Sequence, residues 1–84
     1  SGVFHLEEVI FPTLEAAEGV LNDMRIFIEK YGEIAVSVYY TMSDVEAKVS
    51  STEYGWKNLK NVTIYDNTSI GDGYVIKLPE PQKL

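Results

Sequence analysis

The strongest constraint on how this 84-residue chain folds is one apolar stripe enclosed by two helix-ending signals. Leu14, Ala17, Leu21, Met24, Ile28 and Tyr31 recur at spacings of three and four, which gathers them on one face of a helix, and Val20 and Phe27 widen that face. Thr13 stands where an N-cap belongs. Glu15 and Glu18 complement the free amides of the first turns, and Gly32 follows the last periodic residue as a left-handed C-cap. The spacing predicts a helix over 13–31. Gly19 lies inside it at a cost of about 1 kcal/mol relative to alanine, a cost that close packing against a neighbour would offset. The stripe is shorter than three heptads, so it reads as a core face rather than a coiled-coil seam.

The rest of the chain must cover that face. With 45% hydrophobic and 24% charged residues the composition is that of a globular domain, and the length leaves room for one core. Ser1-Gly2 reads as a cloning remnant, residues 3–79 as a single domain and residues 80–84 as a frayed tail. Residues 3–11 read as an extended lead-in that Pro12 interrupts. Residues 34–45 support two readings: β-branched and aromatic side chains favour a strand, while Ser37 can cap a short helix with Val38, Thr41, Met42 and Val45 on one face and Tyr39 and Tyr40 on its flanks. Residues 46–55 read as a loop presenting Tyr54 and Trp56, with one turn at 56–59. The last third alternates with period two: Val62 and Ile64 on one face, Thr63 and Tyr65 on the other, a turn over 66–73 whose Gly71-Asp72-Gly73 supplies positive backbone dihedrals, and a return over 74–78 ended by Pro79 and Pro81. The expected fold class is α+β, with one long helix, one short helix and a C-terminal antiparallel hairpin, an order that also allows a reduced winged helix.

Several chemistries fail on inventory. The sequence has no cysteine, which removes disulfides, thiolate metal sites and cysteine nucleophiles. His5 is the single histidine and lies near the chain start, where it reads as a terminal surface residue. Neither a Gly-x-Ser-x-Gly elbow nor a His-Glu-x-x-His helix occurs. A calcium loop opening at Asp66 would need an oxygen ligand where Ile70 stands, and Gly71-Asp72-Gly73 lacks the lysine of a phosphate loop. The pairs Glu7–Glu8 and Glu15–Glu18 read as solvated carboxylates. Asn61-Val62-Thr63 and Asn67-Thr68-Ser69 match the glycosylation pattern and read as chance matches in an unexported chain. No catalytic residue, cofactor or metal is therefore expected, and the chain reads as a binder rather than an enzyme.

Charge narrows the choice of partner. Residues 1–46 carry nine acidic side chains against Arg25 and Lys30, whereas residues 47–84 carry four against five lysines. A field of that sign repels phosphate backbones, so a protein is the expected partner and nucleic acid is disfavoured. The acidic helix residues Glu15, Glu18 and Asp23 and the tyrosines Tyr39, Tyr40 and Tyr65 are the expected interface, because exposed tyrosines dominate binding hot spots. Trp56 reads as the core's largest plug. No run approaches about 18 apolar residues and the start lacks a signal-peptide pattern, so no membrane segment is expected.

Phe11, Ala17 with Val20-Leu21, Tyr31-Gly32, Val36-Ser37-Val38 with Tyr40, Tyr54-Gly55-Trp56 with Leu59, Asp72-Gly73-Tyr74 and Leu78-Pro79 occur in an order and spacing that resembles the C-terminal domain of a group of small bacteriophage and prophage proteins. The resemblance covers roughly residues 10–82. It implies a short helix after Ser37, a location in the host cytoplasm or the virion, and no established catalytic residues. The chain departs from the group at Val38-Tyr39, where an aspartate and a leucine are usual, and in a longer hairpin turn without arginines. Three functions follow as expectations: a phage protein-binding module, structural or modulating a host protein; an acidic nucleic-acid mimic that inhibits a host DNA-binding enzyme; and a reduced winged-helix nucleic-acid binder using Lys48, Lys57, Lys60 and Lys77.

Overall fold

The computed structural model describes residues 4–84; Ser1 and Gly2, expected to be a cloning remnant, and Val3 lie outside the described residues. Helix α1 spans Leu14–Tyr31. The Thr13 hydroxyl oxygen accepts the Ala16 amide at 3.1 Å, and Gly32, at φ 87°, donates its amide to the Ile28 carbonyl at 2.7 Å. Both caps therefore sit where the sequence places them, the first contributing about 1 kcal/mol. Ala17, Leu21 and Met24 are buried, and Leu21 and Met24 each contribute roughly 2 kcal/mol through apolar burial. Leu14 and Tyr31, at the two ends of the stripe, project beyond the layer beneath and are exposed. Gly19 has no atom within 4 Å of where a Cβ would stand, so close packing does not account for it.

Residues 34–45 satisfy both readings in turn. Ile34–Ala35 form strand β1, and Val36–Met42 form helix α2, which opens at Ala35 without a side-chain cap. Ser37 is already inside the helix, where its carbonyl accepts the Thr41 hydroxyl. The inward face of α2 is Val36, Tyr39 and Tyr40, not the Val38–Thr41–Met42 face expected from periodicity. A start one residue earlier and the pull of Trp56 explain the rotation: the Tyr39 ring meets that indole edge-on at 5.8 Å.

A 3-10 turn at Val49–Thr52 leads into strand β2, Tyr54–Trp56, so the tyrosine and tryptophan lie on a strand rather than in a presenting loop. Strand β5, Gln82–Lys83, completes an antiparallel sheet in the order β1-β2-β5, with Gly55 facing Ala35 on one side and Gln82 on the other. The expected frayed tail is thus a sheet edge. Pro81 is buried, the Leu84 amide donates to the Glu53 carbonyl at 2.9 Å, and the Trp56 indole N–H donates to the Pro79 carbonyl at 2.8 Å. Proline ends hydrogen bonding only on its own residue, so an edge strand can resume beyond it.

The hairpin pairs β3, Ile64–Asp66, with β4, Tyr74–Ile76, in the register Ile64↔Ile76, Tyr65↔Val75 and Asp66↔Tyr74. Of the two turn glycines, Gly71 adopts a positive φ of 89°, but Gly73 does not. Gly73 is needed for a different reason: a Cβ there would stand 2.1 Å from the Phe11 carbonyl oxygen. Phe11 and Tyr74 exchange two backbone hydrogen bonds of 2.8 Å, which adds the lead-in to this sheet beside β4. Arg25 ties α1 to the β2–β3 loop by donating to the Leu59 and Val62 carbonyls, the shortest bonds being 3.0 Å. The mixed α+β fold is therefore a long helix and a short one packed against two small antiparallel sheets. Its second helix is seven residues long with three of them in the core, unlike the exposed recognition helix of a winged helix.

Candidate functional site

The residues expected at an interface fall into three groups. Tyr39 and Tyr40 are 2% and 3% exposed and belong to the core, so the folded chain cannot offer them as a docking surface. Burial, with Tyr40 alongside, pushes the Tyr39 hydroxyl up to about 12 from its ordinary 10.0. The Tyr40 hydroxyl oxygen accepts the Glu7 amide at 2.8 Å and anchors the lead-in.

Glu15, Glu18 and Asp23 are all exposed on α1, and none makes an ion pair among the described residues. At 100° per residue Glu15 and Glu18 stand about 60° apart, but Asp23 lies about 140° from Glu18. They form a broad acidic arc around the helix and not one cluster.

Tyr65 is the third case, and the structure gives it neighbours that the sequence did not. Side chains alternate across a strand, so Tyr65 and its partner Val75 share the outer face of the hairpin. Phe11 points inward opposite Tyr74, which turns Ile10 to that same outer face. Tyr65, Val75 and Ile10 therefore form one row across β3, β4 and the lead-in, with Tyr65 49% and Ile10 47% exposed and Val75 half-buried. Lys77 flanks the row, its ammonium 5.3 Å from the Tyr65 ring centre. At the end of β3 the Asp66 carboxylate accepts both the Thr68 hydroxyl, at 2.6 Å, and the Thr68 amide, at 2.9 Å, and these bonds hold its pKa below the ordinary carboxylate value. That turn leaves Ile70 exposed beyond the row. Because α1 packs against β3 and β4 and Glu15 lies across the helix from the buried Ala17, Leu21 and Met24, Glu15 points away from the sheet, whereas Glu18 stands at the α1–β3 seam beside Val62, Thr63 and Ile64.

Comparison with family models, curated proteins and solved structures gives no match. No group of three or more His, Cys, Asp or Glu side chains among the described residues is placed to hold a metal ion, and no helix among them is long and apolar enough to cross a membrane.

Sequence reasoning missed Ile10 and Val75 because their association with Tyr65 depends on the lead-in joining the hairpin, a contact between residues more than sixty positions apart. The one local signal was Gly73, whose missing side chain lets the Phe11 backbone approach. Tyr31, assigned by periodicity to the core, is a further exposed aromatic and rests against Phe27 with ring centres 4.7 Å apart.

Proposed function

We propose that this chain is a non-catalytic protein-binding module of phage or prophage origin that docks its partner through the outer face of the β3–β4 sheet. The observation that carries this reading is the row Tyr65–Val75–Ile10, exposed at Tyr65 and Ile10 and half-buried at Val75. Isolated surface apolar residues are ordinary, but a contiguous row led by a tyrosine, with a lysine at its edge, has the make-up of a binding patch. The phage origin rests on the ordered motifs described above. Two of them have evident physical roles: Gly55 and Gly73 admit close backbone neighbours, and Trp56 joins the core to the C-terminal segment.

Nucleic-acid mimicry is the second reading, favoured by the carboxylates of Glu15, Glu18 and Asp23, which make no ion pair among the described residues. The two readings use different side chains and are separable by mutation. In affinity capture from host lysate, with and without infection, Tyr65→Ala should weaken partner retention by roughly 30-fold, the size of a hot-spot loss of about 2 kcal/mol. Charge reversal at Glu15, Glu18 and Asp23 should leave that retention unchanged. Loss on charge reversal, together with release by DNA, would transfer the function to the acidic arc; full retention by the Tyr65 variant would end the sheet-face reading.

A further inference from the structure

A groove of about 580 Å³, whose lining includes none of the Tyr65 row, opens between the lead-in, the turn at Val49–Thr52 and β2. Its size is that of a small-molecule site. One wall is aromatic: the Phe4 and Tyr54 rings stack with centres 5.1 Å apart and planes 23° from parallel. Tyr40 also lines the groove and is 3% exposed. Its hydroxyl oxygen is occupied by the Glu7 amide, which leaves the phenolic proton with no acceptor among the described residues. The hydroxyl is only part-buried where it meets Glu7, so its proton can reach a ligand oxygen in the groove. Glu7 and Lys48 line the same groove with opposite charges, yet no ion pair joins them. His5 and Ser50 complete the polar lining.

We propose that this groove binds a small zwitterion bearing an aromatic ring, the chemistry of a free aromatic α-amino acid. The ligand carboxylate meets the Lys48 ammonium and the Tyr40 phenolic proton, its ammonium meets the Glu7 carboxylate, and its ring lies against the Phe4–Tyr54 pair. Charge neutrality of the lining at pH 7 explains the choice of a zwitterion over a simple anion, which Glu7 would repel, or a simple amine, which Lys48 would repel.

The test is a titration of the ¹⁵N-labelled protein with L-phenylalanine, 3-phenylpropanoate, which lacks the ammonium, and 2-phenylethylamine, which lacks the carboxylate. L-Phenylalanine should shift the amide signals of residues 4–7 and 48–54 at concentrations roughly tenfold lower than either analogue. Glu7→Gln and Lys48→Met, both at exposed positions that the fold tolerates, should each erase that advantage. Tyr40→Phe should weaken binding with the fold retained. Failure of L-phenylalanine to shift these amides at millimolar concentration, equal response to all three compounds, or shifts centred on other residues would overturn the proposal.

Discussion

Replacing Gly55 by alanine should cost this domain a large share of its stability. The added Cβ would stand 2.0 Å from the Ile34 carbonyl oxygen and 2.8 Å from the Ala35 Cα, whereas ordinary contact begins at 3.4 Å. The obstacle is backbone on both counts, so no side-chain rotation relieves it and β1 must part from β2 by about 1.4 Å. β1 has only two paired residues, and one of them, Ile34, is fully buried opposite Trp56. Parting the strands therefore breaks the short ladder and loosens the core together, a loss of about 3 kcal/mol or more. A chain of this length is stable by roughly 4–13 kcal/mol, and its melting temperature should fall by about 12 °C or more. Gly19→Ala is the internal control: nothing lies within 4 Å of the new methyl, so it should stabilise the helix by about 0.5–1 kcal/mol. Urea and thermal unfolding followed by circular dichroism measure both. A Gly55→Ala protein within about 1 kcal/mol of the parent would refute the close-approach reasoning.

Trp56→Phe keeps an aromatic ring in the core but removes the indole N–H that meets the Pro79 carbonyl, so it should cost about 1–3 kcal/mol and speed amide exchange in residues 80–84 ahead of the rest. Arg25→Gln removes the guanidinium bonds to the Leu59 and Val62 carbonyls of the β2–β3 loop, where Leu59 keeps the Val62 amide as its donor, and should destabilise by about 1 kcal/mol, with exchange rising first around Leu59 and Val62. Tyr39 has a folded-state pKa raised from 10.0 to about 12, so the folded state holds its proton where the unfolded state releases it. The stability this provides is complete below pH 10 and is lost as pH rises through about 12; tyrosinate absorbance should show Tyr39 ionising together with unfolding, and independent ionisation near its ordinary value would contradict its burial.

Features set by near neighbours in sequence were legible, and features set by distant ones were not. The Thr13 and Gly32 caps and the alternation of Ile64 and Tyr65 depend on residues a few positions away, and the structure places them as expected. Helical periodicity identified a face but could not say how far the covering layer extends, which is why Leu14 and Tyr31 emerge from it. In residues 34–45 the strand ends after Ala35 because β2 offers partners only to Ile34 and Ala35. Tyr39 and Tyr40 looked amphipathic enough for a surface, but the domain is small and uses these large rings to fill its core beside Trp56. The C-terminal strand was invisible for the same reason: its partner Gly55 lies more than twenty residues upstream. Of the expected interface, Tyr65 kept its surface position, and its apolar neighbours came from the other end of the chain.

A photo-cross-linking side chain placed at position 65, and separately at position 15, tests the docking surface most directly, because the two positions report on opposite sides of the folded domain. Irradiation in lysate of infected host cells should yield one discrete protein adduct from position 65 and none from position 15. An adduct from position 15 alone, or none from position 65 with a partner that the unmodified domain retains, would place the working surface elsewhere.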